Sequence, residues 1–575
     1  MNPPPRAPRP NVRAGRSSRN AARAREAAER HFGHRSLLPG QEETMSALLD
    51  GYDVLLVSPT GSGKSLTYQV AGVLLQGCTL VVSPLLALQQ DQIDGLLEGG
   101  PELRAARISS AETEAQREDA LARARNGELE FLFMSPEQLA NPDVLRAVAE
   151  TRPSLVAVDE AHCVSAWGHD FRPDYFRLGE LIEQIGAPRT IAMTATAALP
   201  VREDIVEQLG LRDHRMIVTG FERDNIGLRV VRCSDPDDQR RTVLAVVQEL
   251  AAEQGGSGIV YCRTRRGAEE CAAALAELGR RTTVYHAGLS QKARNEAFNA
   301  FMDDEVEIVV ATSAFGMGID KPDIRYVVHA EVPESPDTYY QEVGRAGRDG
   351  APATATLVYR PEDLSLGRFF SSGIPKREDV RAVLAAVAET GDTDPRQVQA
   401  ASGFGARKAG RILNLIELVE ESGGARPGAG PAEPGEAAGE AAGEAGVEAV
   451  VEAVLETAEA HRRLEHSRVE MMRGYAETAR CRSDFLLAYF GEEADDLCGI
   501  CDNCVDGVAT EVATDEGSAF PLRSLVHHAE FGAGTVTDLE EDRITVLFDE
   551  VGYRTLSLRL VEERDLLRKA EGGAA

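Results

Sequence analysis

The chain has 575 residues, which is enough for several domains, each with a core of its own. Its formal net charge of −31 excludes nucleic-acid binding by the whole surface, so any such contact must use a local basic or aromatic track. No apolar run reaches the length of a membrane span, and the first residues lack the apolar core of a secretory signal. We therefore expect a cytoplasmic protein with no membrane contact.

The first segment, residues 1–30, is rich in arginine. It carries eight arginines against only Glu26 and Glu29, and it shows no core-forming pattern. This composition predicts a disordered basic arm, with ordered structure beginning near His31. The arm could add weak, salt-sensitive affinity for phosphates, or it could be an inert tail.

A phosphate-binding loop, SPTGSGKS over residues 58–65, follows a short predicted strand over residues 52–57 and precedes a helical pattern. Its glycines let the backbone wrap a phosphate, and the start of the helix directs free N–H groups at it. A lysine and a serine can then meet the outer phosphates and Mg²⁺. The residues predicted to bind nucleotide here are Thr60, Gly61, Ser62, Gly63, Lys64 and Ser65, with Ser65 also a magnesium ligand.

Two adjacent carboxylates stand at the end of another predicted strand, residues 155–158. Acids at the carboxyl end of a parallel strand face the crevice where ligands bind in open α/β sheets. Asp159 and Glu160 are therefore candidates for holding Mg²⁺ and for orienting an attacking water. Taken alone, the sequence DEAH is about as typical of a capped helix start as of a nucleotide site.

The loop after this acid pair mixes aromatic and cationic side chains. Residues 165–175 (SAWGHDFRPDY) bring Trp167, Phe171 and Arg172 together. Such a loop suits stacking on nucleic-acid bases while meeting phosphates, so we predict that these three residues contact nucleic acid. A packed surface turn is the alternative.

Further motifs stand in order beside these two, namely VVSPLLALQQDQID (81–94), MSPEQL (134–139), DEAHC (159–163), AMTATA (192–197), ATSAFGMGIDKP (311–322) and QEVGRAGRDG (341–350). With this set, the chain closely resembles RecQ-type DNA helicases of helicase superfamily two over residues 31–360 and 470–505. The resemblance implies an α/β fold with two RecA-like parallel-sheet domains, residues 31–220 and 221–360. It also implies ATP bound between them and 3′-to-5′ travel on single-stranded DNA.

The resemblance assigns roles by position. Lys64, Asp159 and Glu160 match the family's phosphate, metal and general-base positions. Arg345 and Arg348 match a strip that reaches from the second domain to the γ-phosphate, with Arg348 similar to the arginine finger. The remaining positions that the resemblance gives to nucleotide binding are Gln41, Asp320 and Gln341.

The segment expected to recognise adenine departs from the family pattern. Gln41 remains to pair with an adenine edge, but His34 and Leu38 stand where the family has tyrosine and arginine. Either selectivity for adenine is weaker in this chain, or Arg35 supplies the missing contact with the base.

Two segments follow the second domain. Residues 361–422 predict two helices with a break at residues 403–405, either a helix-turn-helix-like insert that touches duplex DNA or a plain structural helical pair. Its second helix carries Arg407, Lys408 and Arg411. Residues 423–446 repeat Gly-Glu-Ala-Ala and contain three prolines, which predicts a flexible linker.

Residues 447–510 predict a helical hairpin and a zinc-binding module. Four of the nine cysteines cluster here. Their spacing suits tetrahedral structural zinc that is closed to chemistry, and it again resembles the RecQ zinc module. The predicted zinc ligands are Cys481, Cys498, Cys501 and Cys504.

The last segment, residues 521–568, alternates apolar and polar residues with glycines at the expected turns. This pattern predicts a small C-terminal β-barrel of the Tudor or SH3 type. Its sequence HHAEFGAGTV (527–536) resembles the C-terminal module of UvrD/PcrA helicases. That resemblance implies a protein partner, RNA polymerase or a repair protein.

Together these patterns predict a RecQ-type ATP-dependent 3′-to-5′ DNA helicase that acts on single-stranded and duplex DNA in repair or recombination. The expected cofactors are ATP, Mg²⁺ and Zn²⁺. A duplex translocase without strong unwinding and a recruitment factor that tethers DNA to a protein partner are the two alternatives.

Overall fold

The computed structural model describes residues 17–569, apart from residues 85, 101, 110, 166–171, 317–318, 365–373, 391–394, 422–435, 510–518, 523, 540–541 and 549–550. Trp167 and Phe171, predicted to contact nucleic acid, lie outside the described residues. The predicted linker lies outside them up to residue 435. None of the helices within the described ranges is both long enough and apolar enough to cross a membrane.

The first domain is built on a seven-stranded parallel sheet. Its strands are β1 (Val54–Val57), β2 (Thr79–Val82), β3 (Ala105–Ile108), β4 (Phe131–Met134), β5 (Leu155–Val158), β6 (Arg189–Thr194) and β7 (Arg215–Val218). They stand in the order β3-β4-β2-β5-β6-β1-β7. The strands are mostly continuous apolar runs because helices cover both faces of the sheet.

The helices of this domain are α1 (Ser17–Phe32), α2 (Gln41–Asp50), α3 (Lys64–Leu75), α4 (Leu86–Gly99), α5 (Glu114–Arg125), α6 (Pro136–Leu139), α7 (Pro142–Thr151), α8 (Pro173–Phe176), α9 (Leu178–Gln184) and α10 (Leu199–Gln208). The predicted disorder through residue 30 is wrong from Ser17 onward. Ala24, Ala27 and Ala28 of α1 form a buried stripe against Met45 of α2 and Val70 of α3. The arginine-rich composition concealed this stripe of small apolar residues.

The second domain is built on a six-stranded parallel sheet. Its elements are β8 (Ile226–Arg232), α11 (Pro236–Glu253), β9 (Ser257–Tyr261), α12 (Arg265–Glu277), β10 (Thr282–Tyr285), α13 (Gln291–Met302), β11 (Ile308–Ala311), β12 (Ile324–His329), α14 (Pro336–Val343) and β13 (Ala353–Tyr359). The strands stand in the order β10-β11-β9-β12-β13-β8. The two sheets confirm the predicted pair of RecA-like parallel-sheet domains.

A helical region follows, with α15 (Arg377–Thr390), α16 (Pro395–Ser402), α17 (Ala406–Glu421) and α18 (Glu436–Glu477). The four helices share one core, to which α15 contributes Val380 and Val383 and α18 contributes Val450 and Val454. The predicted flexible linker is wrong over residues 436–446, which belong to the long helix α18. The Gly-Glu-Ala-Ala repeat is rich in alanine and glutamate, both strong helix formers, and the apolar stripe that follows anchors the helix.

The chain ends in a zinc module and a third sheet. The elements are α19 (Arg482–Tyr489), α20 (Asp502–Val505), β14 (Leu525–His528), β15 (Gly532–Leu539), β16 (Arg543–Phe548), β17 (Gly552–Ser557), α21 (Leu558–Arg564) and β18 (Leu567–Lys569). The sheet is antiparallel with the order β17-β16-β15-β14-β18, and it encloses a small core with Val536, Ile544 and Phe548 at its centre. The predicted C-terminal β-sheet is present, with the helix α21 before its last strand, whereas closure into a barrel stays a prediction.

This third sheet is docked tightly on the zinc module. The Tyr553 ring stacks on the Tyr489 ring with 5.2 Å between centroids. Arg480 forms ion pairs with Asp484 of α19 and with Asp538 of β15, and all three side chains are largely buried. The C-terminal sheet is therefore packed as part of one body with α18 and α19.

Candidate functional site

The phosphate loop connects β1 to α3 at the carboxyl edge of the first sheet. Gly61 and Gly63 have φ angles of 81° and 68°, a left-handed backbone that favours glycine. Lys64 Nζ donates to the carbonyl oxygens of Ser58 (2.8 Å) and Pro59 (3.0 Å). Burial of this ammonium lowers the pKa of Lys64, and the nearby carboxylates of Glu160 and Asp159 oppose that shift. The Lys64 side chain thus folds back over the phosphate loop and contacts its carbonyl oxygens.

Gln41, at the start of α2, is bonded to this loop. Its Oε1 accepts from the N–H of Leu38 (2.9 Å), and its Nε2 donates to the carbonyl oxygens of Ser62 (2.9 Å) and Gly63 (3.1 Å). A Cβ on Gly63 would lie 2.7 Å from Gln41 Nε2, so glycine is needed there for a second reason. The predicted adenine contact and the phosphate loop are therefore directly linked.

A cavity of about 620 Å³ opens beside Gln41. Leu38 forms part of its lining and is 51% exposed, and Arg35 lines it too, with its Nε 3.8 Å from Glu29. The first helix contributes Ala21 and Arg25 to the lining. The segment predicted to recognise adenine thus lines an open cavity, and α1 forms one wall of it that sequence reasoning missed.

The acid pair follows β5 at the same sheet edge. Asp159 is buried, and its Oδ2 accepts from Gln92 Nε2 at 2.6 Å. Burial, aided by the adjacent Glu160 carboxylate, raises the pKa of Asp159 to about 6. Glu160 itself has a φ of 48°, a left-handed conformation unusual for a residue with a side chain. Such strained backbone is common where a side chain must be aimed at a ligand.

A chain of polar contacts runs from the acid pair across to the second domain. His162 Nδ1 lies 3.3 Å from Glu160 Oε2 and 3.0 Å from Thr194 Oγ1. Thr194 Oγ1 donates to the Thr196 carbonyl oxygen at 2.9 Å. Gln341 Nε2, on α14 of the second domain, donates to Thr196 Oγ1 at 3.3 Å. Three residues, His162, Thr194 and Thr196, thus join the acid pair of one domain to the predicted nucleotide contact Gln341 of the other.

The predicted arginine strip faces the phosphate loop across the same cleft. Thr60 Oγ1 donates to the Gly344 carbonyl oxygen at 3.0 Å. A Cβ on Gly61 would lie 3.5 Å from Arg348 Cγ, and Arg348 Nη1 donates to Asp320 Oδ1 at 2.7 Å. Burial and the neighbouring guanidinium of Arg345 lower the pKa of Arg348. The two domains therefore meet at the phosphate loop, where the Arg348 side chain lies beside Gly61.

Four cysteine thiols converge at the zinc module. Their sulfur atoms all lie within 4.8 Å of one another, and the Sγ atoms of Cys498 and Cys504 are 3.9 Å apart. Tetrahedral zinc with bonds of about 2.3 Å requires sulfur atoms about 3.8 Å apart, so the cluster fits the metal. Hydrogen bonds from the Cys481 and Cys498 thiols lower the pKa of Cys501.

Comparisons with known proteins agree with both sites. Residues 38–205 match the family described as DEAD/DEAH box helicase, residues 241–350 match the helicase conserved C-terminal domain, and residues 445–505 match RecQ zinc-binding. The chain is 37% identical over 390 residues to the probable ATP-dependent DNA helicase RecS of Bacillus subtilis, a match covering 67% of this chain and 77% of RecS. The chain belongs to the RecQ family.

Two further relatives of this RecQ-family chain are named ATP-dependent DNA helicase RecQ. The one from Bacillus subtilis is 32% identical over 496 residues, which cover 86% of this chain and 69% of that protein. The one from Pasteurella multocida is 41% identical over 332 residues, which cover 58% of this chain and 51% of that protein. The match thus spans only about half the length of the Pasteurella protein.

Solved structures share the fold. The DNA-bound helicase MrfA superposes with a TM-score of 0.51 at 20% identity, covering 63% of this chain and 50% of that chain. The Mycobacterium smegmatis helicase Lhr, bound to single-stranded DNA and AMP-PNP, gives 0.50 at 22% identity, covering 70% and 58%. At this level of identity the likeness establishes the fold alone.

Of the predicted nucleic-acid contacts in this RecQ-family chain, only Arg172 is described. Its backbone N–H donates to the Cys163 carbonyl oxygen at 3.0 Å, and its Nη1 lies 3.5 Å from the carbonyl oxygen of Pro84. Arg172 therefore contacts the turn directly after β2. Trp167 and Phe171 stay predictions because they fall outside the described part of the chain.

Sequence reasoning missed the residues that hold the arginine strip in place. Arg223 donates to the carbonyl oxygens of Gly344 (3.4 Å) and Ala346 (3.0 Å). Asn225 Nδ2 donates to the carbonyl oxygens of Gly347 (2.7 Å) and Ala351 (3.0 Å). Both belong to the segment FERDNI (221–226) between the domains. The only available signal was this polar run directly before a strand.

Proposed function

We propose that this chain is an ATP-dependent DNA helicase that travels 3′ to 5′ on single-stranded DNA and unwinds duplexes in repair or recombination. One observation carries the proposal: the phosphate loop of the first domain meets the arginine strip of the second, with Thr60 bonded to Gly344 and Arg348 against Gly61. Such a cleft can bind ATP between two bodies and change their separation when the nucleotide is hydrolysed. The direction of travel rests on the resemblance of the motif set.

On the side of the first domain, Lys64 and the loop N–H groups bind the outer phosphates. Ser65 and Asp159 offer the hydroxyl and carboxylate oxygens that Mg²⁺ prefers, so the residues present fit this ion. When bound, Mg²⁺ neutralises charge that develops on the β- and γ-phosphates. Glu160, aimed by its left-handed backbone, orients and deprotonates the attacking water.

On the side of the second domain, Arg348 serves as the arginine finger and Arg345 and Gln341 complete the contact. Asp320 now accepts a hydrogen bond from Arg348, and a γ-phosphate would compete with this carboxylate for the guanidinium. Exchange of Arg348 between Asp320 and the phosphate therefore ties closure of the cleft to the state of the nucleotide.

Nucleic-acid contact is assigned to Trp167, Phe171 and Arg172 in the loop after the acid pair. Support comes from the position of Arg172, whose backbone is bonded to Cys163 within the same DEAHC motif. Only a few residues separate this loop from the acid pair, so a movement of the loop on binding a strand would reach Asp159 and Glu160. Single-stranded DNA should accordingly accelerate ATP hydrolysis.

The test pairs ATP hydrolysis with strand displacement on forked and tailed duplexes. Lys64→Ala and Glu160→Gln should each lower DNA-stimulated hydrolysis at least about 100-fold, because each removes a group acting on the transferring phosphoryl. The exposed Glu128→Gln is the matched control and should hydrolyse normally. Near-normal hydrolysis in either cleft variant, with unchanged thermal unfolding, would contradict the assignment. Hydrolysis without displacement would favour the translocase, and neither activity would favour the recruitment factor.

We further propose a protein partner for the C-terminal sheet, with RNA polymerase the first candidate by resemblance. The sheet module is packed on the zinc module on one side, while Leu525 and Leu560 elsewhere on it are 57% and 43% exposed. Burial of these apolar side chains against a partner surface would be favourable. Purified RNA polymerase should bind the full chain, and binding unaffected by Leu525→Asp and Leu560→Asp would argue against this surface.

A further inference from the structure

The helices between the second domain and the zinc module have the form of a helix-turn-helix. Helix α16 has eight residues, and α17 begins after a turn of three residues, Gly403, Phe404 and Gly405. Gly403 has a φ of 72°, and no atom lies within 4 Å of the position of its absent Cβ. The glycine is thus present for its left-handed backbone and not for close packing.

One side of α16 and α17 is buried in the core of the helical region. Val398 of α16 and Ala409 and Ile412 of α17 are buried in the core that also contains α15 and α18. The opposite side of α17 carries Lys408, which is half-exposed, Asn414, which is exposed, and the partly exposed Arg411 between them. Residues three apart lie on one face of a helix, so these side chains form a polar stripe along the first turns of α17.

The basic residues of this element are concentrated in α16 and the first turns of α17. Residues 395–421 carry Arg396, Arg407, Lys408 and Arg411 against Glu417, Glu420 and Glu421, which all lie at the far end of α17, whereas the chain has a net charge of −31. Lys408 Nζ lies 2.7 Å from Asp379 of α15 and 4.1 Å from the centre of the Phe404 ring. The ion pair with Asp379 places the ammonium beside the turn. A local basic face on an acidic protein favours a polyanionic ligand at that face.

The position of the element indicates which polyanion. Phe176, the last residue of α8, packs against the same core as α16 and α17. Helix α8 directly follows the loop that carries Trp167, Phe171 and Arg172. Helices α16 and α17 therefore pack against the segment of the first domain that directly follows this loop, with the basic stripe on the side of α17 that faces away from the shared core.

We propose that α16, the turn and α17 bind B-form duplex DNA ahead of the single strand, with Lys408 and Arg411 on backbone phosphates and Asn414 directed into the major groove. Helix α17 has 16 residues and is about 24 Å long, and the major groove is wide enough for a helix. This inference rests on the proposed function, and it names a duplex contact for a motor whose other proposed contacts meet a single strand.

The experiment measures binding of the full chain, without nucleotide, to a blunt duplex of about 20 base pairs and to an oligothymidine of about 20 nucleotides by fluorescence anisotropy. Lys408→Glu should lower the ratio of duplex to single-strand affinity about ten-fold at about 0.1 M salt, because each phosphate contact contributes a slope of about −0.9 in log K against log salt. That slope should fall by about one for the duplex. The control is Arg146→Glu on α7, a charge reversal at an exposed residue of the first domain that should leave the ratio unchanged.

A second variant separates DNA contact from a merely structural ion pair. Asp379→Asn frees Lys408 from its carboxylate and should raise duplex affinity, whereas a structural pair predicts lower stability and no gain. Equal losses on duplex and single strand in Lys408→Glu, an unchanged ratio, or no duplex binding by the parent chain would each overturn the inference. Binding is measured without ATP, so a parent chain that binds duplex through Lys408 but never hydrolyses ATP would refute the proposed function alone.

Discussion

Replacing Tyr553 with alanine should loosen the contact between the C-terminal sheet and the motor. The Tyr553 ring is 5% exposed and stacks on Tyr489, whose hydroxyl donates to Asp337 Oδ2 at 2.5 Å. Asp337 lies in the first turn of α14, and Gln341 lies one turn further along the same helix. Tyr489 and Asp337 thus connect the C-terminal sheet to α14, the helix that reaches across the nucleotide cleft.

The magnitude follows from the burial. Truncating a buried aromatic ring to alanine costs about 3–5 kcal/mol, of which the stacked pair with Tyr489 accounts for about 0.5–1.5 kcal/mol. Tyr489→Phe keeps both rings but removes the hydroxyl from a buried carboxylate, which costs about 1.5–3 kcal/mol. Tyr553→Phe keeps the stacked ring and is the matched control, with a smaller loss.

The assay combines calorimetric unfolding with the rate of DNA-stimulated ATP hydrolysis. We expect the unfolding transition of the C-terminal region to fall in the order Tyr553→Ala, Tyr489→Phe, Tyr553→Phe, with hydrolysis slowed in the first two. Truncation at about residue 515 should lower stability in the same way. Strand displacement by the same truncated protein measures whether the motor needs the sheet for unwinding. If Tyr553→Ala changes neither the transition nor the rate, the sheet is a passive appendage and this reasoning is wrong.

Three other changes test the remaining assignments. Arg348→Ala should lower the rate of ATP hydrolysis by about 10³-fold or more with little effect on nucleotide affinity, because a finger arginine acts on the transition state. Full activity in single-turnover assays would exclude that role. Trp167→Ala should reduce the ratio of DNA-stimulated to unstimulated hydrolysis towards one, and retained stimulation would return the loop to a packed surface turn. Cys501→Ser should lose one zinc per chain and destabilise the module, since metal-binding energy here is folding energy. Elemental analysis checks this, and unchanged zinc content would refute the ligand set.

The sequence was sufficient wherever function depends on residues close together in the chain. The phosphate loop needs glycines, a lysine and a serine within eight positions, and the structure gives Gly61 and Gly63 the backbone that this chemistry requires. The cysteines at 498, 501 and 504 are equally local, and Cys481 could be added because the spacing matches a known module. Short apolar runs likewise predicted strands at residues 52–57 and 155–158, where β1 and β5 of the first sheet lie.

Contacts between distant segments could not be predicted in this way. Gln92 holds Asp159 from 67 residues away, and Arg223 reaches Ala346 across 123 residues. No local sequence pattern identifies the partner of a glutamine or an arginine in such segments. Helix α1 was missed for a different reason, since its buried face consists of alanines spaced among arginines, and tertiary packing outweighed the composition.

The segment between the two domains suggests why the zinc module is joined to a motor. Phe221 is stacked between domains, with its ring 4.3 Å from that of Phe490 and 5.6 Å from that of Tyr340. Its N–H donates to Glu492 Oε2 at 2.8 Å, and Arg202 of the first domain donates to the Phe490 carbonyl oxygen at 2.6 Å. The residues directly after α19 in the zinc module thus contact the segment between the domains and one helix of each domain. Loss of zinc should therefore weaken the coupling between hydrolysis and movement before it unfolds either sheet.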